Sequence, residues 1–323
     1  MTSTPRRVLV TGSTGYVGSR LVPELLEGGH TVLAATRTES KTDDFPWGDE
    51  VQPRMLDVAD DASVRAAVEG VDAVVYLVHG MDSDDFVTKD REAAERMAAA
   101  CADAGVERVV YLSGLVPDGE LSDHLRSRHE VEQVFLDAEV PATVLRAAMV
   151  IGAGSTSYEL LRRLSERVPL LTPVPAWMRH RIQPVAVDDV VHLIRRAVEG
   201  TPRNRAYDVG GDEVVTYPEL LDRYASVAGL RRARFPVPWV PVWLVGRACA
   251  LISGMDRSTV EHLVESLSVD MVAEEDDVRR DLLEPGFTWT GVTEALQRSR
   301  RTDSAPGTSQ RGDVQSSAAT DPA

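Results

Sequence analysis

The chain has 323 residues, 43% of them hydrophobic and 27% charged, enough for one large globular domain or one and a half. Its 35 basic against 51 acidic residues leave a formal charge of −16, which phosphate repels, so DNA and RNA are excluded as steady partners. Cys101 and Cys249 stand far apart and imply no disulfide framework. Met1–Arg7 holds no apolar signal core, so a reducing cytoplasm is the expected compartment.

Arg7–Thr11 forms a predicted strand and runs into Gly12, with Gly15 and Gly18 at intervals of three. A helix, Ser19–Gly28, follows and stops at Gly28-Gly29. The run Gly12-Ser13-Thr14-Gly15-Tyr16-Val17-Gly18 between strand and helix suits a dinucleotide. A pyrophosphate sits on N–H groups at a helix start, and any Cβ there would hold the backbone away. Gly12 turns the strand, Gly15 lets the main chain touch phosphate, and Gly18 lets the helix pack on the sheet. The alternative, an ordinary glycine-rich turn, is disfavoured by the long β/α alternation that follows.

Thr31–Thr36 is the second strand. It ends Ala34-Ala35-Thr36-Arg37, with no acid where an NAD site places one for the ribose 2′-hydroxyl. Arg37 offers a guanidinium to a 2′-phosphate instead, so NADP(H) is expected over NAD(H). A solvated loop arginine is the bland alternative. Strands at Gln52–Leu56, Ala73–Val78, Val109–Ser113 and Ala142–Ile151 alternate with helices at Ala62–Glu69, Asp85–Ala104 and Leu125–Glu139. The pattern predicts an α/β, Rossmann-like, doubly wound parallel sheet over residues 1–152.

Beyond Gly152 the pattern loosens into helix Thr156–Arg167, a Pro-rich span to Pro184, helix Asp188–Glu199, strand Ala206–Val209 and helix Tyr217–Ala228. These predict a smaller lobe, 153–298, over the carboxyl edge of the sheet, with parts of 180–215 packing back on the first domain. Asp188 fits as a helix N-cap, and Ser155, Ser157 and Tyr158 fall where the substrate mouth should be. The stretch Phe235–Ile252, with Trp239 and Trp243, is apolar but broken by prolines and Arg247 and is too short to span a bilayer. It is expected to close the lobe, with a peripheral membrane or protein partner as the alternative. Residues 299–323 are nearly free of bulky apolar groups and are expected to be a disordered tail. Oligomeric state and substrate are left open.

The GxxGxxG spacing, within TGxTGxxG, resembles the short-chain dehydrogenase/reductase superfamily, in its extended and atypical branches. The resemblance implies that Asp57 and Val58 meet the adenine and that Leu77 and Val78 bring main chain to the ribose. It also implies a catalytic Ser or Thr after the fifth strand and a Tyr-x-x-x-Lys on the next helix. Ser113 fills the first place. On the helix, His124 stands in the tyrosine place and Arg128 in the lysine place; the chain's two lysines, Lys41 and Lys89, follow no tyrosine at that interval. In one reading His124 is the acid/base and Arg128 the ribose clamp, since imidazole titrates near neutrality. In another the site holds nucleotide without turnover, since guanidinium cannot shuttle protons; in a third both are merely polar helix faces. Tyr158 with Arg162 fits packing better than chemistry.

A narrower likeness rests on Leu121–Val131, on Leu145-Arg146-Ala147-Ala148 through Ser155, and on Arg181-Ile182-Gln183-Pro184-Val185. These are similar to atypical NAD(P)H-binding proteins related to the NADPH-binding accessory subunit of respiratory complex I and to nitrogen-metabolite-repressor-type redox sensors. That likeness implies an assembly or sensing role, at the inner face of a membrane in the first case. As an enzyme the chain would be an oxidoreductase or epimerase-like protein.

Overall fold

The computed structural model describes residues 4–80, 85–117, 121–168, 171–231, 233–237, 240–301 and 313–315. Six strands come first in the chain: β1 (Arg7–Val10), β2 (Thr31–Thr36), β3 (Gln52–Met55), β4 (Ala73–Tyr76), β5 (Arg108–Gly114) and β6 (Ala142–Ala147). With Arg205–Val209 they form one seven-stranded sheet in the order Arg205–Val209, β6, β5, β4, β1, β2, β3, every pair parallel. The winding direction reverses between β1 and β4, and such switch points hold ligands at the carboxyl ends of the strands.

Side chains alternate across this sheet, and its strands β1, β2 and β4 are dry on both faces, whereas the edge strand β3 is largely exposed. Val8, Val10, Val32, Ala34 and Val75 join one core with helices α1 (Tyr16–Glu27) and α6 (Val187–Glu199). Leu9, Leu33, Val74 and Tyr76 join another with α2 (Asp61–Val68), α3 (Phe86–Ala104) and α4 (Asp123–Leu136). Strands buried on both sides must be apolar at every position, which is why they were legible as continuous runs.

A third core unites α5 (Thr156–Arg167), α7 (Tyr217–Val227) and α11 (Val292–Ser299) through Leu161, Leu220, Tyr224 and Leu296. Leu160 of α5 then meets α8 (Val242–Ser253) and α9 (Arg257–Ser266) at Ala250, Val260 and Val264. Cys101 and Cys249 are free thiols. Among the described residues no helix is long and apolar enough to cross a membrane.

Several expectations are corrected. The sixth strand is two: β6 stays in register with β5 up to Ala147, then Met149–Ile151 turns away to pair in parallel with Pro184–Ala186. An apolar run looks alike whether it serves one sheet or two. Asp188 is no cap; Ala186 caps α6, while Asp188 pairs with Arg298 at 2.8 Å. Within the expected tail, Ser299 ends α11 and Asp313–Gln315 dock on the fold. The buried Gln315 amide donates to the carbonyls of Ile151 (2.6 Å) and Ala295 (3.4 Å) and to Ser299 Oγ (3.1 Å). Composition cannot foresee a polar plug of this kind. Residues 302–312 and 316–323 of the tail, with Pro238 and Trp239, lie outside the described residues.

Candidate cofactor and active site

The glycine loop is shaped by contacts that no side chain survives. Gly12 adopts φ +65°, and a Cβ on Gly18 would lie 2.2 Å from the Gly12 carbonyl oxygen and 2.8 Å from Ser13 Cα. Gly18 therefore closes the turn itself. Gly15 donates to the Gly12 carbonyl at 2.9 Å and caps α1 without a side chain, so no capping hydroxyl takes up the N–H groups of the first turn. That leaves the positive end of the helix dipole open to an anion.

Side chains of the loop serve the scaffold. Ser13 Oγ donates to the Ala35 carbonyl at 2.9 Å, fixing the loop to β2. Tyr16 lies against Gly152, where a Cβ would meet its Oη at 2.1 Å, and the Arg20 guanidinium covers its ring at 4.2 Å. Thr14 is partly buried and lines no cavity beside them. With its hydroxyl bonded to β2, Ser13 would meet a nucleotide through its main chain.

A cleft of about 400 Å³ opens over this loop. Gly12, Gly15, Tyr16, Val17, Gly18 and Leu77 line one end; Ser113, His124 and Arg128 line the same cavity. Arg128 Nη1 donates to the Leu112 carbonyl at 3.1 Å, and the buried Ser113 donates from Oγ to the Arg128 carbonyl at 3.4 Å. These bonds lock α4 onto the end of β5, so the sequence-predicted trio does share one site.

Leu77 donates its N–H to Thr11 Oγ1 at 2.9 Å, which holds the end of β4 beside β1. Val78 and Val58 pack on the core below. Arg37 and Asp57 lie outside the cleft, exposed beyond the carboxyl ends of neighbouring strands β2 and β3. Asp57 Oδ1 accepts from Ala59 N at 3.0 Å. Arg37 makes no hydrogen bond or ion pair among the described residues. Its placement suits an adenosine 2′-phosphate reaching over the sheet edge.

Electrostatics keep the imidazoles uncharged. Burial, then the Arg128 guanidinium, then His262 push the His124 pKa from 6.5 down to about 4. Arg128 likewise lowers His79, another lining residue. Burial raises the Asp90 carboxyl, which accepts from Gly80 N and Ser127 Oγ, both at 2.8 Å, and so ties the loop after β4 to α4.

Sequence reasoning missed the far wall. His262, Leu263 and Ser266 of α9, with Met271, close the cleft opposite the glycine loop. The available signal was Asp256, whose side chain accepts from Thr259 N at 2.8 Å as the N-cap of α9, ahead of the periodic Val260, Leu263 and Val264. Ser155 proves to be the N-cap of α5, and buried Tyr158 packs edge-on against Tyr224 at 6.1 Å, as the packing reading expected.

Residues 12–168 match the family model described as NAD(P)H-binding. An uncharacterized protein of Mycobacterium tuberculosis is 26% identical over 232 residues, covering 72% of this chain but 24% of that relative, so the chain spans about a quarter of its length. UDP-glucose 4-epimerase of Vibrio cholerae is 24% identical over 303 residues, 83% of this chain and 88% of that enzyme. The crystal structure of Citrobacter sp. triphenylmethane reductase complexed with NADP(H) superimposes with a TM-score of 0.71 at 17% identity, covering 90% of this chain and 99% of that one.

Proposed function

We propose, from the premise that residues 12–168 are an NAD(P)H-binding domain on the fold of extended short-chain dehydrogenases/reductases, that this chain is an NADPH-dependent reductase of a neutral, largely apolar carbonyl compound. The observation that carries the reading is a single cleft lined by both the glycine loop and Ser113, His124 and Arg128.

The residues present fit the cofactor. Main chain at Gly15, Tyr16 and Val17 would hold the pyrophosphate, and a Cβ at position 15 would approach the Gly12 carbonyl to 3.2 Å. Arg37 would hold the 2′-phosphate, Asp57 and Val58 the adenine, and Leu77, Val78 and Arg128 the ribose. Bound NADPH supplies a hydride there.

The chain's own groups act on the substrate oxygen. With a pKa near 4, only about one His124 in a thousand is protonated at pH 7, so it is a neutral N–H donor rather than an acid. Neutral imidazole, and the Ser113 hydroxyl once it turns from the Arg128 carbonyl, would polarise the carbonyl and stabilise the charge that develops on oxygen, and the resulting alkoxide would take its proton from solvent water. The Arg128 guanidinium would position the cofactor ribose.

Substrate class follows from the walls. Leu112, Leu125, Ala147, Val150, Leu263 and Met271 are apolar, and Arg128 is the one arginine or lysine among the described lining residues. A sugar nucleotide would need further cations for its diphosphate. A neutral carbonyl compound is therefore favoured over the substrate named for the epimerase relative.

A second reading, nucleotide held without turnover, draws support from the same lowered His124, since it leaves no proton donor of ordinary strength. Purified protein with NADPH and a panel of hydrophobic aldehydes, ketones and quinones separates the two. The proposal expects NADPH oxidation that falls about 10²–10⁴-fold in His124→Ala with NADPH affinity unchanged. Tight NADPH binding without oxidation by any member of the panel supports the second reading.

A further inference from the structure

We infer that the exposed face of α8 is a docking surface for an anionic lipid bilayer. Seven large apolar side chains are exposed among the described residues, and five of them, Phe235, Trp243, Leu244, Leu251 and Ile252, fall in one stretch of 18 residues. Within α8 the exposed positions Trp243, Leu244, Arg247, Ala248, Leu251 and Ile252 recur at helical spacing and form one stripe. Leu251 is 86% exposed and Trp243 57%.

The opposite face is fully used. Gly246 lies so close to α9 that a Cβ would sit 3.1 Å from Glu261 Cγ, and Ala250 packs with Leu160, Val260 and Val264. The stripe is thus an outward surface and not a core left unfilled.

Charge selects the occupant. Residues 231–257 contain Arg231, Arg232, Arg234, Arg247 and Arg257 against a single acid, Asp256, in a chain whose net charge is −16. Arg247 stands on the stripe with its guanidinium 5.0 Å over the Trp243 ring. Arg167 donates to the carbonyls of Ile252 and Ser253, at the end of α8. The acid facing the stripe from α9, Glu261, is engaged by Arg257 at 2.7 Å and Arg247 at 3.7 Å.

Trp243 and the leucines on one exposed stripe of a short helix, with Arg247 beside them, are what an interfacial anchor requires. A helix of 12 residues is about 18 Å long, too small a face for a standard protein interface. A second copy would also bring a second excess of negative charge. Since α9 carries His262, Leu263 and Ser266 on its cleft side, docking through α8 sets the cleft wall next to the bilayer.

Flotation of the full chain with vesicles tests this. One set is phosphatidylcholine alone, the other equal parts phosphatidylcholine and phosphatidylglycerol. The expected result is binding to the anionic vesicles at least about tenfold stronger than to the neutral ones and weakened by salt. Leu251→Glu and Trp243→Ser should each weaken it at least about tenfold, with an unchanged unfolding midpoint because both side chains are outside the core. Absence of binding to either set, or undiminished binding of Leu251→Glu, overturns the inference. So does light scattering that shows a dimer dissociated by Leu251→Glu.

Discussion

His124 of α4 and His262 of α9 stack across the cleft, ring centroids 6.3 Å apart and planes 22° from parallel. Burial, Arg128 and the neighbouring His262 ring together disfavour protonation of His124. In the native state His124 binds its proton only near pH 4, whereas the unfolded chain binds it near 6.5. Stability from this group is therefore complete above about pH 6.5 and is lost as pH falls towards 4. The His124 imidazole resonances should titrate near pH 4. Replacing His262 with Gln removes one cause and should move that titration upward. A midpoint near 6.5 in the unsubstituted protein would contradict this.

Asp189 is the converse case. Burial raises its pKa to about 6, although Thr290 donates to it from N (2.9 Å) and Oγ1 (3.1 Å). The native state keeps a proton that the unfolded chain has already released, so this contribution is full below about pH 4 and disappears as pH rises through 6. Asp189→Asn should flatten the stability profile between pH 4 and 7 and raise stability at pH 7 by on the order of 2–3 kcal/mol. Urea unfolding across that range measures it.

Gly18 lies in α1, where alanine ordinarily stabilises by up to about 1 kcal/mol. Here the Cβ would meet the Gly12 carbonyl, so Gly18→Ala should reverse the sign and cost about 1–3 kcal/mol. It should also abolish NADPH binding, because the turn that shapes the loop must open. Chemical denaturation and cofactor titration read the two effects separately.

Gln315 joins α11 to the strand at Met149–Ile151, and its neighbour Val314 accepts from the buried Arg20 Nε at 2.9 Å. Gln315→Ala removes the amide donor to the Ile151 carbonyl and should cost about 1–3 kcal/mol. Ending the chain at Arg301 should cost more, since Arg298 also loses Asp313. An unchanged thermal midpoint for both variants would show the docking to be dispensable.

The β/α order of the first domain was readable because strands buried on both faces and glycine stops leave no choice of element type, as at Ala73–Tyr76 and Gly105. The glycine loop and the Ser113, His124, Arg128 trio were readable because each sits at the end of a local strand-to-helix unit. What escaped was long-range. His262 reaches the cleft from α9, over 130 residues after Arg128, and no local pattern marks which helix will close a lobe. The break at Ala148 depends on a partner strand at Pro184–Ala186. Gln315 acts through three acceptors that its own neighbourhood does not contain.

The most direct measurement is calorimetric titration of the full chain with NADPH and NADH, repeated on Arg37→Ala. We expect NADPH to bind at least about tenfold more tightly than NADH, the worth of a charge-assisted contact to the 2′-phosphate, and the variant to lose that preference while keeping its affinity for NADH. Heat from neither nucleotide, or a preference untouched by the loss of Arg37, would contradict the assignment of the glycine loop and the β2 edge as an NADPH site.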